Sequence, residues 1–190
     1  FSTDASRRPR MAVMGSYVIW ANSPSETLLV DPDGTVRILA IKPPSTAPVL
    51  SATGSGALTG AYQVKTTFLV RDDFGNVISE TPFGPTSASS ASLSSQILLA
   101  EQVPISSQTI SARRLYRTLT GPGTVFFPWI ELDGNVQTSV QDDLADGTLD
   151  NVAAPTTLGL PPARMPLLVK WRGRLWAQDH NALDDVTYTE

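Results

Sequence analysis

Apolar residues in this chain come in short runs, each closed by Gly, Pro, Asn, Asp or Ser. Met11-Ala12-Val13 meets Gly15, and Tyr17-Val18-Ile19-Trp20 runs into Asn22-Ser23-Pro24-Ser25. Thr27-Leu28-Leu29-Val30 is separated from Thr35-Val36-Arg37-Ile38-Leu39 by Asp31-Pro32-Asp33-Gly34. An Asp-Gly pair between apolar runs predicts a hairpin, because Gly accepts a positive φ without steric cost. The stretch to about Ile41 therefore predicts a meander of antiparallel strands.

Pro43-Pro44-Ser45-Thr46-Ala47-Pro48 predicts a stiff linker, since proline fixes φ and has no N–H for a ladder. The clearest strand follows at Ala61–Arg71. Tyr62, Val64, Thr66, Phe68 and Val70 share one side, and Gln63, Lys65, Thr67 and Arg71 the other, as in a half-buried strand. Asp72-Asp73-Phe74-Gly75-Asn76 turns this strand into Val77-Ile78-Ser79-Glu80, and Pro82, Gly84 and Pro85 end the hairpin. Ser87–Ser95 is nearly all Ser and Ala, a low-complexity loop or edge. Further strands are predicted at Gln96–Leu99, Thr109–Leu119, Thr124–Leu132 and Val136–Val140, punctuated by Gly121-Pro122-Gly123 and Asp133-Gly134-Asn135. This spacing predicts a sandwich or barrel. After Ala153-Ala154-Pro155, strands return at Leu167–Trp171, Arg174–Gln178 and around Val186–Tyr188. Helical periodicity is nowhere convincing.

Composition narrows the function classes. Of 190 residues only 17% are charged, and abundant Ser and Thr suit exposed sheet faces. The formal net charge of −4 argues against a general nucleic-acid binder, which needs a basic surface. With no cysteine, disulfide scaffolds, thiolate catalysis and cysteine zinc sites are excluded. No apolar run approaches the ~20 residues that span a bilayer as a helix. Phe1-Ser2-Thr3-Asp4 and Val186-Thr187-Tyr188-Thr189-Glu190 read like cuts from a longer polypeptide.

Several segments carry a resemblance. Tyr62-x-Val64, the Gly75-Asn76 turn and Ser79-Glu80-Thr81-Pro82 resemble the last hairpin of a fibronectin type III domain. Leu115-Tyr116-Arg117-Thr118 and Ser139-Val140-Gln141-Asp142 are similar to two other strands of such domains, with Val140 where Tyr is usual. The hairpin that is normally last comes first, which implies a permuted or Ig-like variant. Arg172-Gly173-Arg174-Leu175-Trp176-Ala177 is similar to propeller-blade strands in tail and nozzle proteins of tailed bacteriophages. The resemblance spans about residues 45–190. It implies a virion protein of the tail or head-to-tail region, whose partners are other virion proteins and copies of itself.

Candidate chemistry is sparse. His180, the single histidine, sits in Asp179-His180-Asn181 with no G-x-S-x-G nucleophile elbow in the chain, and reads as a turn residue. Asp142, Asp143, Asp146 and Asp150 miss calcium-loop spacing, because Leu144 falls where the second ligand belongs. They and Asp31-Pro32-Asp33-Gly34 read as turns. Gly54-Ser55-Gly56 lacks the Lys and helix of a phosphate cradle and reads as a loop. Arginines cluster as Arg7, Arg8 and Arg10, as Arg113, Arg114 and Arg117, and as Lys170, Arg172 and Arg174, the last beside Trp171 and Trp176. Ion pairs and packing account for these better than phosphates and stacked bases. Arg and Trp are enriched at protein–protein hot spots, so Trp171, Arg172, Arg174 and Trp176 are the candidate subunit contacts.

The sequence thus predicts an all-β chain: a central Ig/fibronectin III-like β-sandwich (residues 45–155) inserted between antiparallel β segments (1–44 and 156–190). The flanks pack together, with a propeller or barrel as their wider setting. The predicted protein is not an enzyme and has no cofactor or metal. It localises to the virion and contacts neither membrane nor specific nucleic acid. The alternative is a module binding a host-surface glycan.

Overall fold

The computed structural model describes residues 10–21, 27–38, 41–71, 74–121, 123–149, 152–155, 168–171, 174–178 and 186–188. Among them the fold is all-β with antiparallel sheets and no α-helix. A single 3-10 turn occurs at Asp146–Thr148. The chain divides into two compact units: Phe1–Ile41 with Leu160–Glu190, and Lys42–Gly159.

In the first unit, β1 (Arg10–Met14), β2 (Tyr17–Ala21), β3 (Leu28–Val30) and β4 (Val36–Ile38) form a meander in chain order. The β3–β4 turn is built by its aspartates. The Asp31 carbonyl accepts from the Gly34 amide at 2.9 Å. The Asp33 carboxylate accepts from the Thr35 amide at 2.8 Å and its hydroxyl at 2.9 Å. This is the Asx chemistry that makes aspartate a turn residue. A second sheet, β12 (Leu168–Trp171), β13 (Arg174–Gln178) and β14 (Val186–Tyr188), belongs to the same unit, and β1 approaches β12. Both sheets are open, and no barrel closes among the described residues.

The second unit is a sandwich. One sheet runs β10 (Phe127–Asp133), β9 (Ala112–Arg117), β6 (Val64–Arg71), β7 (Val77–Glu80), and the other β11 (Val140–Asp142), β8 (Leu93–Glu101), β5 (Val49–Gly60). Val64, Leu115, Trp129 and Leu132 from the first sheet meet Leu58, Leu98, Ala100 and Val140 from the second in one core.

Three features depart from the sequence reading. First, β5 is a strand where none is predicted, and Gly54-Ser55-Gly56 is only its bulge. Pairing with β8 jumps from Thr53↔Ile97 to Leu58↔Gln96, leaving the residues between without partners. Its Ser, Gly and Ala content has little β preference of its own, so pairing with β8 makes the strand.

Second, β6 is buried on both faces from Thr66 to Val70 rather than half-buried. Its outer face is roofed by the charged and aromatic cluster described below.

Third, the edge allowed for Ser87–Ser95 has other bounds: it runs from Thr81 to Ser90 with a three-residue period, and Leu93–Ser95 already belong to β8. The amides of Thr81, Gly84, Ser87 and Ser90 donate to the carbonyls of Phe68, Thr66, Val64 and Tyr62 at 2.9 Å each. The hydroxyls of Thr81, Ser87 and Ser90 accept in return from the amides of Phe68, Val64 and Tyr62 at 2.9–3.0 Å. Those four residues are buried, and the residues between them are not. Pro82 and Pro85 fall where no amide is needed. A Cβ on Gly84 would lie 2.6 Å from Pro44 Cβ, so only glycine fits there.

Candidate functional site

In an antiparallel sheet, directly paired residues point to the same face. On β1–β4 the register puts Met11, Trp20, Leu28 and Ile38 in one cross-strand row and Val13, Val18, Val30 and Val36 in the next. The seven of these whose side chains are described lie on one face, and all seven are apolar. The opposite face holds the unit's core, Ala12, Ile19 and Ala21, with Met14 and Leu29 packed on it. The all-apolar face stays open: Met11 is 65% exposed, Val13 56%, Val36 57% and Trp20 40%. A contiguous apolar sheet face of this kind is a surface for burial.

The predicted contact residues lie on the other sheet of this unit. Trp171 pairs with Arg174 across β12 and β13, and Trp176 is flanked by Val169 and Tyr188. Trp176 is partly buried, while Val169 is exposed. Arg172, His180, Arg7, Arg8 and Asp150 lie outside the described residues. Sequence reasoning missed the β1–β4 face. Its signal was present, because those runs are continuously apolar rather than alternating.

In the sandwich, β9 sorts its arginines by parity. Arg113, Leu115 and Arg117 face inward and Arg114 and Tyr116 outward. Arg117, with no exposed side-chain surface, forms an ion pair with equally buried Asp142 at 2.6 Å and another with Asp146 at 2.6 Å. It also donates to the carbonyls of Leu144 at 2.6 Å and Thr118 at 3.0 Å, and lies 5.0 Å from the centre of the Tyr62 ring. The second oxygen of Asp146 accepts from the Thr120 amide at 2.8 Å. Asp143 accepts from the Ala57 amide at 2.5 Å, which ties the β5 bulge to the same end of the sandwich. Burial raises the Asp142 pKa, against the pull of the Leu144 amide and Arg117. These aspartates are therefore engaged in loop closure. Among the described residues, no group of His, Cys, Asp or Glu is placed to hold a metal ion.

At the opposite end, Arg113 donates to the carbonyls of Gly134 at 3.1 Å, Gln137 at 2.5 Å and Pro104 at 3.5 Å. Burial lowers its pKa. Asn135 bridges the same two loops, accepting from the Ser106 amide at 2.8 Å and donating to the Ser106 carbonyl at 2.6 Å. The predicted strand at Val136–Val140 therefore begins only at Val140, because Arg113 and Asn135 hold residues 134–137 as a loop.

The outer face carries a balanced network. Arg114 pairs with Glu80 at 2.7 Å and with Glu131, and Arg71 pairs with Glu131. The Tyr116 hydroxyl donates to Glu80. The Tyr116 ring meets Phe83 edge-on at 5.0 Å, and Lys65 lies over Phe83 and Phe126 at 5.3 and 4.3 Å. Burial raises the Tyr116 pKa to about 12. The hydrogen bond from Arg114 opposes that rise, and the one to Glu80 adds to it. Burial works against the charge on Glu131, but Arg114 and Arg71 outweigh it and lower its pKa. Within the ion pairs two cations answer two carboxylates, and Lys65 adds a third cation held over the two aromatic rings.

Compared with known protein families and with curated proteins, the chain matches none.

Proposed function

We propose that the chain is a structural and assembly component of a tailed-bacteriophage virion, in the tail or head-to-tail region. It acts through contacts with other virion proteins and with copies of itself. The observation carrying this reading is the uncharged, open face of β1–β4, since a contiguous apolar surface is what an assembled protein buries against neighbours. The sandwich adds support. Its three-on-four antiparallel strands match the strand count of an Ig constant-type domain, as the fibronectin-like resemblance implies. Its buried arginines and aspartates are committed to closing loops, a mechanical role, and we read the chain as non-catalytic.

Mass spectrometry of gradient-purified tailed particles tests this proposal. Peptides of this chain should appear in fixed ratio to the other tail proteins. Their presence in infected cells but absence from purified particles would overturn the virion reading.

The second reading, a module for a host-surface glycan, has one observation in its favour: Phe74, at the β6–β7 turn, is 92% exposed. Selective binding on a glycan array, lost in Phe74→Ala, would establish it.

A further inference from the structure

We infer that Arg113 is the cationic half of an anion site, at which a small monovalent anion from solution, such as chloride, binds against Nη2 and locks the loops at that end of the sandwich. This goes beyond the assembly reading and concerns the interior of the chain alone.

β9 sends two arginines into the interior on one face, and neither has exposed surface. Their surroundings differ. Arg117 meets two carboxylates, Asp142 and Asp146. Arg113 meets none among the described residues, and its three hydrogen bonds all go to carbonyls: Nε to Gly134, and Nη1 to Gln137 and Pro104. Its Nη2 is buried and reaches no acceptor among the described residues. Across the strands Arg113 pairs with Phe68 and Leu132, which are buried and have no acceptor in their side chains. Burial lowers the Arg113 pKa, and no carboxylate opposes the shift. A guanidinium nonetheless keeps its proton in a protein, so one positive charge stands uncompensated between apolar neighbours.

Two species from solvent can answer Nη2. A water molecule accepts the hydrogen bond but leaves the charge as it was. An anion accepts the bond and cancels the charge, and its attraction is strong because the setting is poorly polarisable. One charge needs only one charge in return, which favours a monovalent ion over phosphate or sulfate. The site is also enclosed. Asn135 fastens its loop to Ser106, accepting from the amide at 2.8 Å and donating to the carbonyl at 2.6 Å. A small ion fits such a place better than an organic acid. Because the same loops supply the carbonyls of Pro104, Gly134 and Gln137, an ion on Nη2 steadies them through the guanidinium.

Thermal unfolding of the 190-residue chain tests this, with sodium gluconate replaced stepwise by sodium chloride at fixed ionic strength. Once chloride exceeds its dissociation constant, each tenfold step should raise the midpoint by roughly 3–6 °C. Arg113→Met keeps an apolar stem of similar length and should abolish the rise. If that variant does not fold, a crystal of the unaltered chain grown in bromide decides the matter. An anomalous peak is expected within hydrogen-bond reach of Nη2.

Equal midpoints in the two salts would overturn the inference, as would a chloride dependence that survives Arg113→Met. Ordered water at Nη2 with no anomalous signal would overturn it too, in favour of a hydrated and uncompensated guanidinium.

Discussion

Replacing Arg117 by Met is the most informative perturbation of the sandwich. The guanidinium has no exposed surface, and its removal strands the Asp142 carboxylate, itself fully buried, at one end of the core. It also strips hydrogen bonds from the carbonyls of Leu144 and Thr118. Breaking a buried pair by deleting one partner costs about 3–5 kcal/mol. Domain stabilities are only about 5–15 kcal/mol, so Arg117→Met should move the urea midpoint far down.

The charge share is isolated by repeating the substitution with Asp142→Asn, which keeps an acceptor for the Leu144 amide and removes the carboxylate. In that background Arg117→Met should cost at least about 2 kcal/mol less. The pH dependence adds a sign. Burial already raises the Asp142 pKa above its unfolded value, and losing Arg117 raises it further. A folded-state pKa above the unfolded one means that the native state binds the proton more tightly. The deficit of Arg117→Met is therefore largest at neutral pH and shrinks as pH falls through the raised value. A loss below about 1 kcal/mol, or an equal loss with Asn at 142, would refute this account of the buried pair.

Other expectations follow from the same geometry. Ser87→Ala removes the acceptor for the buried Val64 amide and should cost about 1–3 kcal/mol, while Ser89→Ala, on an exposed position of the same segment, should cost under about 0.5. Faster hydrogen exchange at Val64 in Ser87→Ala alone checks the three-residue ladder. Gly60 has φ +103°, and an added Cβ would lie 1.9 Å from Thr120 Oγ1, so Gly60→Ala should lower thermal stability by about 1–3 kcal/mol. The Glu131 pKa is lowered from 4.5, against its burial, by Arg114 and Arg71. Its contribution is thus complete above that value and lost as pH falls through the lowered one. Glu131→Gln should flatten the decline in stability below about pH 4.5, as read by urea titration at several pH values. In a spectrophotometric titration Tyr116 should stay unionised until about pH 12 as long as the fold holds.

The strands with strong patterns of their own were legible before the fold was seen. Tyr17–Trp20, Ala61–Arg71 and the Asp33-Gly34 turn carry their instructions locally, in a continuous apolar run, in side-chain parity and in a glycine free to take φ +89° at position 34. Other features were decided by partners far along the chain. Val49–Gly60 becomes a strand because β8 supplies a ladder, and Thr81, Gly84, Ser87 and Ser90 become an edge because β6 offers one amide and one carbonyl at every second residue. Parity in Arg113-Arg114-Leu115-Tyr116-Arg117 groups the outer two arginines with Leu115, but it does not say that theirs is the inward face. That depended on Asp142, Asp146 and the carbonyls of residues 134–144 closing over them. The composition of the β1–β4 face was likewise written in the sequence, whereas its exposure was not. Burial is a property of what packs where, and local sequence fixes only which side chains share a side.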